Sequence, residues 1–181
     1  YDSLKHHSAS EELVDVLMSR LQVNEPLFFR LMVAFHFALA ASHMRTQVRM
    51  PEGNLIPLNL YALNLAPSNF GKTQASNILT KEVLDQFITR FTEETFPVAA
   101  DENLPKLSLK RAYRKGTDPD EELDRVKAEF ETTGPFLFSF DSGSSPAAKQ
   151  LRHHLLMARA GSMNLIMDEV GLHFTSNAEM L

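Results

Sequence analysis

The eight residues Ala66-Pro67-Ser68-Asn69-Phe70-Gly71-Lys72-Thr73 constrain this chain more than any other stretch. They fit the phosphate-binding loop pattern, in which glycine, lysine and a hydroxyl residue follow one another, with Ala66 in place of the usual first glycine. A triphosphate needs several backbone N–H donors converging on its oxygens, and a loop wrapped around the start of a helix supplies them together with the positive end of the helix dipole. Gly71 lets the backbone approach closely, Lys72 sets a compact charge against the β and γ phosphates, and the Thr73 hydroxyl offers a ligand to magnesium. Ala66, Pro67, Ser68, Asn69, Phe70, Gly71, Lys72, Thr73 and Gln74 are therefore the expected nucleotide site, with ATP and Mg2+ as its ligands and Lys72 also counted as catalytic.

The surroundings of the loop extend this expectation to a fold. Residues 58–65 are a mostly apolar run of strand length, as in a strand buried on both faces of a parallel sheet. After Thr73, Ala75, Leu79, Val83, Phe87 and Phe91 fall four apart, which predicts one helix of about five turns. Residues 136–140 read as a second core strand, Ser145-Pro146 as the opening of a helix that buries Ala148, Leu151, Leu155 and Ala158 and closes at Gly161, and residues 163–167 as a third strand. The predicted class is α/β: a three-layer P-loop NTPase domain with a parallel sheet, over residues 58–181, with 97–134 as a peripheral insertion. Residues 1–57 are expected to form a helical accessory subdomain. Its first helix starts from a capping box at Ser8 to Glu11, its second is the apolar stretch from Leu27 to Ala41, and a turn at Pro51-Glu52-Gly53-Asn54 joins two short strands.

Three acids complete the expected chemistry. Asp168 and Glu169 follow the third apolar run in the manner of a Walker B strand, so that Asp168 holds magnesium through water and Glu169 orients and deprotonates the attacking water. Asp141, which follows the second apolar run, competes with Glu169 for the role of base, and the sequence leaves the choice open.

Composition sets the outer limits. With 44% hydrophobic and 23% charged residues among 181, the chain can build an ordinary core. A net charge of -5 argues against coating nucleic acid by bulk charge, and any such contact must be local. The absence of cysteine excludes disulfides and thiolate metal sites and fits a reducing cytoplasm. The apolar stretch of residues 27–41 is interrupted by Arg30 and His36 and falls short of the about 20 residues of a membrane span, so a buried helix and no membrane are expected. The chain opens on Tyr1 rather than methionine and is read as a fragment. Lys106, Lys110, Arg111, Arg114 and Lys115 around Tyr113 read either as a loop touching single-stranded nucleic acid or as a solvated loop balanced by the acids of residues 118–124. His6-His7 and His153-His154 are not expected to chelate metal, because adjacent side chains diverge on a helix. Phe28, Phe29, Phe35 and Phe37 read as core.

One resemblance adds to these readings. Asn59-Leu60-Tyr61-Ala62-Leu63 leading into Ala66-Pro67-Ser68, Asp141 with Ser145-Pro146-Ala147-Ala148, and Leu165-Ile166-Met167-Asp168-Glu169 followed by Val170-Gly171 resemble the RecA-like ATPase domains of phage and prophage primase-helicase proteins. The likeness covers roughly residues 58–172, with 81–134 matching poorly. It implies a RecA-like sheet that is incomplete at the C-terminus, because further strands, a sensor residue and an arginine finger would lie beyond Leu181. It also implies a cytoplasmic, bacterial or phage-encoded motor that works as a homo-oligomeric ring on single-stranded DNA. Asn69-Phe70 departs from the smaller residues of such loops and would narrow the phosphate site or stack on a base or ribose. Two other classes stay open: a regulatory or defence-associated NTPase switch acting through a protein partner, and a small-molecule kinase with residues 97–134 as its lid.

Overall fold

Amphipathic helices dominate the computed structural model, which describes residues 5–58, 60–67, 70–140 and 145–166. The chain divides into two compact units, one of residues Tyr1–Ser42 and Thr46–Gln86, the other of His43–Arg45 and Phe87–Leu181.

In the first unit, α1 (Ser8–Leu21) and α2 (Pro26–His43) bury Val14, Leu17, Phe29, Met32 and Val33 against Ala75, Ile78 and Leu79 of α3 (Lys72–Ile78). The expected capping box does not form. His7 occupies the N-cap position without a side-chain cap, and Glu11 instead takes a two-pronged pair from Arg30 of α2, with Nε donating to Oε1 at 2.9 Å and Nη2 to Oε2 at 2.6 Å. An arginine fork on a carboxylate gains more than one backbone N–H can offer, so the tertiary pair takes the side chain. Helix α2 is half buried: Phe29, Met32, Val33, Leu39 and Ala40 are covered, whereas Leu27 and Phe37 are exposed. Among the described residues it is the one helix long and apolar enough to cross a membrane by length and composition. The hairpin read from Pro51 to Asn54 is present, with β1 (Gln47–Arg49) antiparallel to β2 (Leu55–Pro57) and Val48 opposite Ile56.

The helix that follows the loop is broken where the sequence predicts continuity. From Lys72 it runs through α3 into a π turn at Leu79–Val83, where the N–H of Leu84 bonds to the carbonyl of Leu79 at 2.9 Å. The i→i+5 bond adds one residue to the turn. The buried position passes from Val83, which is 36% exposed, to Leu84, which is 5% exposed. Helix α4 (Asp85–Arg90) and a second π turn at Phe91–Thr95 lead into α5 (Phe96–Lys115).

In the second unit α5 packs against α6 (Pro119–Glu131) and α7 (Ser145–Ala158). Phe91, Phe96, Ala100, Phe136, Leu151, Leu155, Ala158 and Ala160 form its larger core, and Leu104, Val126 and Met157 a smaller one. At the edge of the larger core His43, 1% exposed, lies between the rings of Phe91, Phe136 and Phe138. Its Nε2 donates to the carbonyl of Phe138 at 2.6 Å and its Nδ1 accepts from the N–H of Ser162 at 3.1 Å. Helix α7 ends on Arg159 in the left-handed region at φ 54°, two residues before the Gly161 expected to close it.

The expected three-layer α/β domain with a RecA-like parallel sheet is not what this chain forms. The β1–β2 hairpin is the only regular sheet among the described residues, and it is antiparallel. Residues 60–67 carry no strand, and Leu60, Tyr61, Leu63 and Leu65 are exposed. An apolar run becomes a strand only where a neighbour takes its N–H and C=O groups, and for these residues no such ladder is present. The second and third apolar runs do meet, at a single parallel bridge between Phe140 and Leu165 with N···O distances of 3.0 Å on both sides. One bridge is a contact and not a sheet. Residues 97–115, expected to belong to a peripheral insertion, form most of a core helix instead.

Candidate phosphate-binding loop

Of the nine residues expected to cradle a nucleotide, Ala66, Pro67, Phe70, Gly71, Lys72, Thr73 and Gln74 are described; Ser68 and Asn69 lie outside the described residues. The strand expected before the loop is not formed, but the chain does turn directly into a helix after it. Gly71 takes the left-handed conformation, φ 82° and ψ 18°, and stands immediately before Lys72, the first residue of α3. An L-residue adopts that conformation only with strain, and a Cβ at Gly71 would also meet Leu21 Cδ1 at 3.4 Å. That contact is an ordinary one, so it is the turn that calls for glycine.

Phe70 holds the loop to α2. Its ring meets Phe28 edge-on at 4.8 Å between centroids, and Phe28 in turn meets Phe29 edge-on at 5.2 Å. The bulk that departs from the usual loop composition is thus spent on anchoring, and the ring is engaged with another side chain rather than turned out to stack on a base.

Lys72 closes the loop. Its Nζ donates to the carbonyl of Ala66 at 3.1 Å, so the ammonium folds back over the six preceding residues instead of extending into solvent. No side chain caps α3, and no acid stands in its first turn. The first helical bond is that of the Ala75 N–H to the Gly71 carbonyl at 2.8 Å. The start of a helix leaves its leading N–H groups without intrahelical acceptors and carries a partial positive charge. Together with the ammonium these make a locally cationic turn, with Thr73 and Gln74 exposed at its rim. This arrangement can bind an anion.

Beyond the rim, a cavity of about 430 Å³ is lined by Arg20, Gln74, Asn77, Ile78, Lys81 and Glu82. Arg20 Nη1 donates to Glu82 Oε2 at 2.6 Å along its wall. Sequence reading missed this groove. The spacing of Gln74, Asn77 and Lys81 on one helical face was its only trace, since nothing local to Arg20 pairs α1 with this part of the chain.

Asp141, Asp168 and Glu169 lie outside the described residues. Among the described residues no three histidines or acids gather to hold a metal ion. His153 Nε2 lies 2.6 Å from Glu129 Oε1, while His154 is buried against Phe96 and Phe130, so the pair diverges as expected. Comparisons with protein-family models, curated proteins and solved structures found no match to the chain.

Proposed function

We propose that the chain binds the phosphates of ATP on residues 66–74 and hydrolyses the nucleotide with magnesium. The observation that carries this reading is the Lys72 ammonium folded onto the Ala66 carbonyl, around a turn that ends in a left-handed Gly71. A phosphate oxygen entering the loop replaces a neutral carbonyl acceptor by an anionic one, a stronger partner for the same ammonium. The N–H groups that start α3 add donors that need no reorganisation when charge shifts on the phosphates. Magnesium, held by Thr73 and by the acid assigned to it in the sequence, Asp168, would neutralise charge on the phosphate oxygens.

The coupled work proposed for this hydrolysis is that of a motor domain of the phage-type replicative helicase or primase-helicase kind, acting in the cytoplasm as a ring of copies. Its support is the resemblance of the motifs in residues 58–80 and 135–172 to those of such ATPases, read from the sequence.

The deciding measurement is ATP turnover by the chain with magnesium, with and without single-stranded DNA. Turnover that Lys72→Ala abolishes and that DNA raises several-fold supports both parts. Turnover indifferent to DNA removes the motor and leaves a switch acting through a protein partner, and phosphate transfer to a metabolite leaves a kinase. No turnover and no nucleotide binding ends the proposal. Asp168→Asn should lower activity and raise the magnesium concentration that it requires, and comparison of Glu169→Gln with Asp141→Asn identifies the base.

A further inference from the structure

Helix α5 sorts its cations into two sets. Arg111 pairs with Glu129 of α6, and Lys115 donates to the buried Glu122 of α6 at 2.7 Å. Lys106, Lys110 and Arg114 are exposed, and among the described residues none of them has an ion pair or side-chain hydrogen bond. They recur every fourth residue. Four residues of helix advance about 6 Å, so the three charges form one ridge along the helix. Beside it stand Tyr113, 92% exposed, and Leu109, 59% exposed.

A plain solvated helix face does not account for this ridge. Such faces gain from acid–base pairs four apart, and the chain uses them elsewhere, in Arg90 with Glu94 and Glu121 with Arg125. Like charges at that spacing destabilise a helix, yet Lys106–Lys110 and Lys110–Arg114 are two such pairs in a chain with more acids than bases. No acid occurs from residue 103 to residue 117; Asp101, Glu102 and Asp118 bound the ridge at its ends. An aromatic ring almost wholly in solvent beside three unpaired cations is what a strand with exposed bases and phosphates engages, the cations following the backbone and the ring stacking on a base. A duplex hides its bases from such a ring, and a membrane surface would ask for more apolar area than Leu109 supplies.

We propose that this face of α5 binds single-stranded nucleic acid, with Lys106, Lys110 and Arg114 against the phosphates and Tyr113 under a base. The surface does not depend on the nucleotide site.

The test is fluorescence anisotropy of labelled oligothymidylate and oligouridylate with the full chain, without nucleotide, over a range of salt. Binding of either strand with a slope of log affinity against log salt near −2, about 0.7 per phosphate for three phosphates, is expected. The combined variant Lys106→Gln, Lys110→Gln and Arg114→Gln should flatten that slope and lower affinity at least about tenfold. Tyr113→Ala should cost about tenfold with the slope unchanged. Because all four positions are exposed, the variants should melt no lower than the unaltered chain, the triple variant slightly higher as its like charges are removed, and Lys72→Ala should leave strand binding intact. Absence of strand binding, equal binding by the triple variant, or a preference for duplex or for anionic vesicles would overturn the proposal.

Discussion

Lys72 donates from its Nζ to the carbonyl of Ala66, 3.1 Å away and six residues earlier in the chain. A ligand that captures this ammonium trades one acceptor for another and stabilises the folded chain by mass action. With MgATP at about a hundred times its dissociation constant, the stabilisation should be about 2.7 kcal/mol, visible as a rise in melting temperature. Lys72→Ala should abolish that rise while shifting the ligand-free melt little, since one partly buried hydrogen bond contributes only about 1 kcal/mol. An equal rise in the variant would remove Lys72 from the site.

Gly71→Ala tests the turn itself. The left-handed backbone at φ 82° costs an L-residue about 1–2 kcal/mol, and the new Cβ meets Leu21 Cδ1 at 3.4 Å, which is ordinary contact. Strain rather than collision is the penalty, so the variant should fold with stability lowered by about 1–2 kcal/mol in urea unfolding. A neutral effect would mean that the turn is not held in this conformation.

How much of this was legible in the sequence differs by element. The turn at Gly71 and the helix start at Lys72 were legible because they are local: Gly71 is demanded by its own backbone angle and Lys72 reaches only to Ala66. Helices α1 and α7 and the β1–β2 hairpin were legible from local spacing and turn residues, although the cap read at Ser8 to Glu11 did not form. Helix α5 was hidden because its buried positions, Phe96, Ala100, Leu104, Ser108 and Ala112, keep a strict four-residue spacing but include two alanines and a serine, which hydropathy does not mark. The strands failed for the opposite reason. The apolar character of residues 58–65 is plain, but strand formation depends on partners elsewhere in the chain, and no local signal states whether those partners arrive.

His43 should make stability fall in weak acid. Burial lowers its pKa from 6.5 to about 4, against the opposing effect of its hydrogen bond to the Phe138 carbonyl. Above pH 6.5 the ring is neutral in both folded and unfolded states and its contribution is fully present. Between pH 6.5 and 4 the unfolded chain takes up a proton that the folded chain refuses, so stability is lost as pH falls, by about 3 kcal/mol in total. His36 and His154, whose pKa values are also lowered by burial, act in the same direction. The His43 imidazole resonance should titrate near 4 by NMR, and an ordinary titration near 6.5 would contradict the buried placement.

Among the described glycines of the second unit, Gly161 is the tightest. A Cβ there would lie 2.8 Å from Leu155 Cδ2 and 3.0 Å from Phe136 Cε2, and the backbone stands at φ 74°. Both neighbours belong to the larger core, so neither can swing into solvent, and the Gly161 N–H is committed to the His43 carbonyl at 3.2 Å. Overpacking costs about 1–3 kcal/mol and the left-handed backbone adds about 1–2. Gly161→Ala should therefore destabilise by about 2–5 kcal/mol, more than Gly71→Ala, because here collision is added to strain. Urea unfolding of the two variants side by side checks that order, and the reverse order would show that the packing of Phe136 and Leu155 around residue 161 is looser than these distances state.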